Sequence, residues 1–264
     1  GQVLVLGGSR GMSGAVFLAT QGALRTGAGL VTAAVPAAIG AVMEMKTTEA
    51  MTLELPETLA GGLGADAVKL VHDVSAQASA ILVGPGLGRH EDTLEAVREL
   101  LKTVDRPLVL DADALFALAG HMDLLASSGA LAVLTPHPGE MARLTGLSVR
   151  QIQSDRIGVA RRSAVEWGNI VVLKGPHTIV AFPDGEIFVN PTGNSGMATG
   201  GMGDVLAGMI AALIAQGLSS HDAAVLGVYL HGLAGDRVAA ERPSGMTALD
   251  LAEQIPAAMR SLVV

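Results

Sequence analysis

A single acid in a glycine-rich stretch is the first candidate for chemistry. Residues 190–209 read Asn-Pro-Thr-Gly-Asn-Ser-Gly-Met-Ala-Thr-Gly-Gly-Met-Gly-Asp-Val-Leu-Ala-Gly-Met, so that Asp204 directly follows Gly203 and precedes an apolar run. The run predicts a helix, and the start of a helix offers unpaired backbone N–H groups and the positive end of the helix dipole, which together attract phosphate. We therefore predict phosphoryl chemistry at this site, with Asp204 as the base.

The alternative role for Asp204 is that of a helix cap. Acids near a first turn are common, and they stabilise a helix by about 0.5–2 kcal/mol. Residues 205–214 are apolar almost all round, however, which predicts a buried helix whose positive end points into the protein. A bound phosphate would supply the partner that a buried dipole end needs, and this favours the functional interpretation.

A second candidate follows another short apolar run. The segment Lys174-Gly175-Pro176-His177-Thr178 comes directly after residues 170–173. Glycine at a strand end lets the backbone approach a ligand closely, and a lysine at this place suits a phosphate group. An ordinary turn between two strands is the alternative interpretation.

Polar side chains also follow two further apolar runs. Residues 107–110 lead into Asp111 and Asp113, which could hold Mg²⁺ or could form a turn and a helix cap. Residues 131–134 lead into a stiff loop in which two prolines flank His137, and this histidine could be structural or functional. Parallel sheets carry their sites beyond the carboxyl ends of their strands, so we expect these side chains to face one crevice.

Strand and helix patterns alternate along almost the whole chain. Helical spacing or apolar runs predict helices at 12–25, 37–45, 65–77, 91–103, 154–167, 205–216, 221–241 and 247–262, and strands at 2–6, 30–35, 80–84, 107–110, 131–134 and 170–173. Residues 178–189 predict a hairpin, and residues 46–64 carry no assignment. The pattern predicts one α/β domain over residues 1–264, built on a mostly parallel sheet.

Composition excludes several classes of function. The net charge of −8 argues against a nucleic-acid partner, which requires clustered lysine and arginine. The absence of cysteine excludes disulfides and thiolate nucleophiles and favours a cytoplasmic location. No charge-free stretch reaches the roughly 20 apolar residues of a membrane span, and the spacings of a P-loop and of a Rossmann fingerprint do not occur.

The motifs together resemble those of the NAD(P)H-hydrate dehydratases, within the ribokinase-like superfamily. The resemblance spans essentially the whole chain and rests on the sequences Gly-Gly-Met-Gly-Asp, Leu-Asp-Ala-Asp-Ala-Leu, Thr-Pro-His-Pro-Gly-Glu and Leu-Lys-Gly-Pro-His-Thr-Ile-Val, with residues 7–9 and 27–32 near the start. Asn194-Ser195-Gly196-Met197-Ala198-Thr199 and the His-Pro-Gly-Glu motif narrow it to the dehydratases. It implies a ribokinase-like three-layer α/β/α sandwich.

The resemblance also implies an activity and a set of contacts. The activity is the ADP-dependent dehydration of hydrated NADH or NADPH, with ATP as another donor and with Mg²⁺. The implied substrate contacts are Ala28, Gly86, His137 and Asp204. The implied nucleotide contacts are Lys174, Gly175, Pro176, His177, Thr178, Gly201, Met202 and Gly203, and no residue is assigned as a metal ligand.

The implied assembly is a homotetramer that works with a separate epimerase. Family members usually carry a lead segment before the first strand, whereas the strand here begins at residue 2, and some relatives carry a fused N-terminal epimerase domain. Two other functions compete with the dehydratase. One is a ribokinase-like kinase for a small vitamin-precursor alcohol such as hydroxyethylthiazole, and the other is a catalytically silent nucleotide-binding sensor.

Overall fold

A single mixed sheet organises the part of the chain that the computed structural model describes, residues 1–127, 131–242 and 244–262. Its strands are β1 (Gln2–Leu6), β2 (Leu30–Pro36), β3 (Met51–Leu55), β4 (Ala80–Val83), β5 (Leu108–Leu110), β6 (Ala132–Leu134), β7 (Ile170–Leu173), β8 (Ile179–Ala181) and β9 (Ile187–Val189). They follow the order β3-β2-β1-β4-β5-β6-β7-β8-β9, in which β1 to β7 are parallel and β8 and β9 are antiparallel.

Helices cover both faces of the sheet. They are α1 (Ser13–Arg25), α2 (Gly40–Lys46), α3 (Ala67–Ser75), α4 (Glu91–Thr103), α5 (Asp113–Ala117), α6 (Leu124–Ser127), α7 (Pro138–Thr145), α8 (Val149–Ser154), α9 (Arg156–Trp167), α10 (Met202–Ala215), α11 (Ser220–Glu241) and α12 (Ala248–Arg260). Helices α1, α2, α10 and α11 pack on one face, α3 to α9 on the other, and α12 packs outside α1 and α11. This arrangement confirms the predicted three-layer α/β/α sandwich.

The inner strands are buried on both faces, as continuous apolar runs require. In β1, Val3 and Val5 join the core beneath α1 and α10, whereas Leu4 and Leu6 join the core on the opposite face. Because successive side chains of a strand alternate between faces, one apolar segment contributes to both cores. None of the helices in the described part of the chain combines the length and the hydrophobicity that a bilayer span requires.

Helices α1 and α10 touch backbone to backbone at two glycines. A Cβ atom added to Gly22 in α1 would lie 2.3 Å from the carbonyl oxygen of Val205 in α10. A Cβ atom added to Gly208 in α10 would lie 2.0 Å from the carbonyl oxygen of Ala19 in α1. Both separations are far below a van der Waals contact, so only glycine permits this close packing.

The structure contains the short helices α6 and α8, which no sequence pattern predicted, and it differs from the prediction in three further places. Residues 46–64 contain β3, an edge strand with a largely exposed pattern that gives little periodic signal. Helix α7 begins at Pro138, where a loop was predicted, because proline fits the first position of a helix and His137 caps it. Helix α10 begins at Met202, three residues before the predicted start. The predicted hairpin and the other predicted elements are confirmed, with shifts of a few residues at their ends.

Candidate active site

A cavity of about 530 Å³ opens at the carboxyl edge of the sheet, beside the start of α10. One wall is the segment 174–178 after β7, and a second is the loop 190–199 after β9. His137, Gly203 and residues of α10 and α11 also line it. The cavity has the size of a small-molecule site, and it lies where an open parallel sheet carries one.

Lys174 is held by carboxylates at the inner end of this cavity. Its Nζ lies 2.6 Å from Oδ1 of Asp111 and 3.7 Å from Oε2 of Glu140. Burial acts to lower the pKa of Lys174, but the Asp111 and Glu140 carboxylates outweigh it and the pKa is raised. The lysine is therefore charged and already paired with carboxylates.

Asp204 interacts electrostatically with Asp111, Lys174 and Glu140. No group within the described residues donates a hydrogen bond to the Asp204 carboxylate. Burial raises the pKa of Asp204 to about 7, the Asp111 carboxylate adds to the rise, and Lys174 opposes it. A carboxylate that titrates near neutral pH is suited to act as a general base.

The first turn of α10 presents free backbone donors beside Asp204. Its cap residue, Gly201, has φ of 90° and provides no side-chain cap. The N–H groups of Met202, Gly203 and Asp204 find no acceptor in the part of the chain that the structure describes. A position on Gly203 equivalent to Cβ lies 3.2 Å from Nζ of Lys174, so the turn and the lysine face each other. The turn can bind an anion.

Buried His231 holds this turn from the neighbouring helix α11. Its Nε2 lies 2.9 Å from the carbonyl oxygen of Met202, an acceptor, so Nε2 carries the hydrogen. Burial lowers the pKa of His231 to about 4, and the imidazole is therefore neutral at physiological pH. The sequence offered no motif that could have assigned this role.

His137 caps helix α7 and also lines the cavity. Its Nδ1 accepts hydrogen bonds from the backbone N–H groups of Gly139 at 2.9 Å and Glu140 at 3.3 Å. The backbone N–H of His137 in turn donates to Oε2 of Glu140 at 2.7 Å. Burial lowers the pKa of His137, and nearby Lys174 lowers it further. In the neutral ring the hydrogen is on Nε2, which lies 3.5 Å from Oε1 of Glu140.

The two outer cavity walls are fixed by charged residues that the motifs did not reveal. Arg156 donates hydrogen bonds to the carbonyl oxygens of Leu173 at 3.1 Å and Lys174 at 3.3 Å, and to that of Pro176. Asp236 accepts hydrogen bonds from the backbone of Gly193 and from the side chain of Asn194, both at 2.9 Å. Long-range pairs of this kind carry no local sequence pattern.

The loops after β1, β4 and β5 are tied to one another at the carboxyl edge of the sheet. The Ser9 hydroxyl donates to the carbonyl oxygen of Gly86 at 2.8 Å. The carboxylate of Asp113 accepts from the N–H of Gly88 at 2.9 Å and from Nε of Arg89 at 2.8 Å. Gly86, predicted from the family resemblance, thus lies at the same edge of the sheet as Asp204.

The alternative in which Asp111 and Asp113 hold Mg²⁺ is not supported by their partners. Asp111 binds Lys174 and accepts from the Thr135 hydroxyl at 2.8 Å, while Asp113 ties two loop groups together. Among the residues that the structure describes, no cluster of three or more candidate ligand side chains is present. Protein groups alone do not form a cage for the ion.

Ala28 lies outside the crevice, contrary to its predicted place beside His137 and Asp204. It precedes β2 and therefore sits at the amino edge of the sheet, where neighbouring Gly27 approaches Gln216. Gln216 caps the far end of α10, a helix of 14 residues and hence about 20 Å long. The other predicted site segments come together at the carboxyl edge.

Comparison with known proteins places these features in a family. A family model described as NAD(P)H-hydrate dehydratase matches residues 3–257. A bifunctional NAD(P)H-hydrate repair enzyme of Moorella thermoacetica is 50% identical over 263 residues, which are 99% of this chain and 50% of that protein. An ADP-dependent (S)-NAD(P)H-hydrate dehydratase of Neisseria meningitidis is 40% identical over 99% of this chain and 84% of its own length.

Solved structures agree with this assignment. An ADP/ATP-dependent NAD(P)H-hydrate dehydratase of Bacillus subtilis, co-crystallised with ATP and Mg²⁺ and soaked with CoA, has a TM-score of 0.84 at 33% identity over 99% of this chain and 92% of its own. A ribokinase-like superfamily protein of Enterococcus faecalis has a TM-score of 0.84 at 30% identity, covering 99% and 87%. The fold is thus ribokinase-like, as predicted.

The length of the relatives sets the scope of the comparison. The chain spans about half the length of the bifunctional repair enzymes that it matches. The family model nevertheless covers residues 3–257, which include the cavity walls, the carboxylate cluster and the first turn of α10. The chain belongs to the NAD(P)H-hydrate dehydratase family.

Proposed function

We propose that this chain catalyses the ADP-dependent dehydration of hydrated NADH and NADPH, S epimer, and so restores the reduced cofactors. The products are NAD(P)H, AMP and phosphate, and ATP is a second donor. One observation carries the proposal: Asp204, whose pKa is about 7, stands at the start of α10, and within the described residues neither its carboxylate nor the N–H groups of this helix start have a hydrogen-bond partner. A base and an anion site in contact are what phosphoryl transfer to an alcohol needs.

Phosphorylation solves the leaving-group problem of this dehydration. Asp204 accepts the proton of the ring hydroxyl as its oxygen attacks the terminal phosphorus of ADP, and AMP leaves. The N–H groups at Gly201 to Gly203 stabilise the charge that develops on the transferred phosphoryl group. The lone pair of the ring nitrogen then expels phosphate, a far better leaving group than hydroxide, and loss of a proton from the adjacent ring carbon regenerates the dihydronicotinamide.

The proposed contacts divide between the two sides of Asp204. The nucleotide contacts the segment 174–178 and the turn 201–203, which line or adjoin the cavity. The hydrated dinucleotide contacts Gly86, His137 and Asp204. Because the Lys174 ammonium is already paired with Asp111 and Glu140, its main role is to neutralise the negative charge of these carboxylates near the phosphates.

Mg²⁺ belongs to the proposal through the nucleotide, because the Bacillus relative was co-crystallised with ATP and Mg²⁺. The paired state of Asp111 and Asp113 does not fit an all-protein metal site, so no step here is assigned to the ion. The proposal extends to a homotetramer in the cytoplasm. It also includes cooperation with an epimerase activity, which the bifunctional names of the longer relatives support.

Incubation of the protein with hydrated NADPH, ADP and Mg²⁺ tests the function. Recovery of the absorbance of reduced nicotinamide, together with equimolar AMP and phosphate, is the expected result. A stable phosphorylated alcohol would instead identify the ribokinase-like kinase, which the family match does not favour. Nucleotide binding without turnover of any hydrated dinucleotide would identify a silent sensor.

A further inference from the structure

Two exposed arginines share the ring of Phe116 outside the nucleotide cavity. The guanidinium carbons of Arg89 and Arg143 lie 4.8 Å and 4.3 Å from the centre of this ring. Arg89 comes from the loop after β4 and Arg143 from α7, so two separate segments supply the cations. Because each guanidinium carbon makes a cation–π contact with the same ring, the two carbons are at most about 9 Å apart.

This arginine pair, Arg89 and Arg143, adjoins the reacting centre. Arg143 lies one helical turn beyond Glu140 on α7, whose cap is His137. Arg89 is close enough to His137 to contribute, after burial and Lys174, to the lowered pKa of its imidazole. Neither arginine lines the cavity of about 530 Å³, so both remain outside the space proposed for ADP.

Most hydrogen-bond donors of the pair are unused. Asp113 accepts only from Nε of Arg89, at 2.8 Å, which fixes the stem of that side chain. The remaining N–H groups of Arg89 and every guanidinium N–H of Arg143 lack a hydrogen-bond partner within the ranges that the structure describes. Two like charges held this close repel each other, and Asp113 compensates only one of them. The pair therefore has one uncompensated charge and a set of free donors.

A phosphate group matches these properties. The guanidinium fork binds phosphate oxygens in a bidentate manner, and stacking on Phe116 pre-orients both forks. Positive charge near the crevice would also help a polyanionic substrate to bind, because the carboxylates of Asp111, Glu140 and Asp204 all interact electrostatically with Lys174 there. Nearby positive charge offsets the repulsion between these carboxylates and a dinucleotide.

We propose that Arg89 and Arg143 bind a phosphate of the hydrated dinucleotide and thereby orient its nicotinamide ring toward Asp204. The inference rests on the proposed function, because it takes hydrated NAD(P)H as the substrate. Two groups of this substrate class share the required chemistry: the pyrophosphate of both dinucleotides, and the 2′-phosphate that only the NADPH form carries. The pair is a positioning site, distinct from the groups that transfer the proton and the phosphoryl group.

The test measures steady-state kinetics of Arg143→Gln, Arg143→Lys and Arg89→Gln with hydrated NADPH and hydrated NADH at saturating ADP. Loss of a charged hydrogen bond at a partly exposed site predicts a KM about 10-fold higher for either glutamine variant, with kcat within about 3-fold of the parent. Arg143→Lys should fall between, because it retains charge but loses the fork. Arg260→Gln, at the far end of α12, is the matched control and should be unchanged.

The two substrates identify the phosphate. A KM increase confined to the NADPH hydrate assigns the 2′-phosphate, and an equal increase for both assigns the pyrophosphate. A KM within twofold of the parent for both substrates, in both glutamine variants, overturns the proposal and leaves the arginines as packing on Phe116. Calorimetric titration with NADPH separates this result from failure of the proposed function: an inactive parent whose NADPH affinity still falls in the arginine variants would reject the dehydratase and retain the phosphate site.

Discussion

Replacement of Asp204 by asparagine should separate catalysis from stability. The substitution keeps the size of the side chain and removes a carboxylate that has a raised pKa and no hydrogen-bond donor within the described residues. A general base contributes roughly 10²–10⁴ to a rate, so turnover of hydrated NADPH should fall by that factor. Binding of ADP should persist, because the N–H groups of the first turn of α10 remain.

The same substitution should stabilise the fold at alkaline pH. The pKa of Asp204 is raised from an ordinary 3.8 to about 7, and each pKa unit corresponds to about 1.4 kcal/mol. The folded state binds its proton more tightly than the unfolded state, so the parent loses stability as the pH rises from 3.8 through about 7. The shift limits this loss in the free energy of unfolding to about 4 kcal/mol at pH 8. Because Glu140 titrates in the same range and solvent screens part of the charge, we expect Asp204→Asn to raise the free energy of unfolding at pH 8 by about 1–2 kcal/mol.

The assay combines urea unfolding at pH 5 and pH 8 with the turnover measurement. Asp92→Asn is a matched control, because Asp92 lies in the first turn of α4 on the surface and should leave activity unchanged. In the parent, kcat/KM should rise with pH and level off above about 7, as Asp204 ionises. Activity within threefold of the parent, or an inactive variant less stable than the parent at pH 8, would refute the reasoning.

Three further substitutions test the supports of the site. Because burial holds the pKa of His231 at about 4, below its ordinary 6.5, the free energy of unfolding of the parent should fall by up to about 3 kcal/mol between pH 6.5 and pH 4. Acid unfolding curves of His231→Gln should show a correspondingly smaller fall, and an equal fall in both proteins would contradict this. Lys174→Met leaves a buried charge unpaired and should lower the unfolding free energy by about 3–5 kcal/mol, and the double variant with Asp111→Asn should recover part of it; equal stability of Lys174→Met and parent would argue against the pair. Gly208→Ala forces a Cβ against the α1 backbone and should lower the melting temperature through a loss of at least about 1–3 kcal/mol, whereas Gly14→Ala, which meets no atom within 4 Å, should not.

The crevice was predictable because it follows from strand ends. Asp111 and Lys174 come directly after an apolar run, and His137 stands three residues beyond the end of another. Parallel pairing brings such strand ends together whatever the detailed packing. The same rule places Ala28 at the opposite edge, because it stands before a strand. Ala28 is therefore separated from Asp204 and His137 by the length of the strands.

The pairings inside the crevice were not predictable. Lys174 and Asp111 are 63 residues apart, and their 2.6 Å contact follows from strand register and side-chain rotamers that no local pattern encodes. His231 reads as an ordinary residue of a long helix until α11 is packed against α10. Strand β3 was missed because its partly exposed residues break the alternation that marks a half-buried strand.

The glycine contacts between α1 and α10 have a mechanical consequence. Helix α1 starts from the loop after β1, which Ser9 ties to Gly86, and α10 carries Asp204. Because the two helices meet without intervening side chains at Gly22 and Gly208, sliding or rotation between them would drive backbone into backbone. This packing therefore fixes the position of Asp204 relative to the loop after β1.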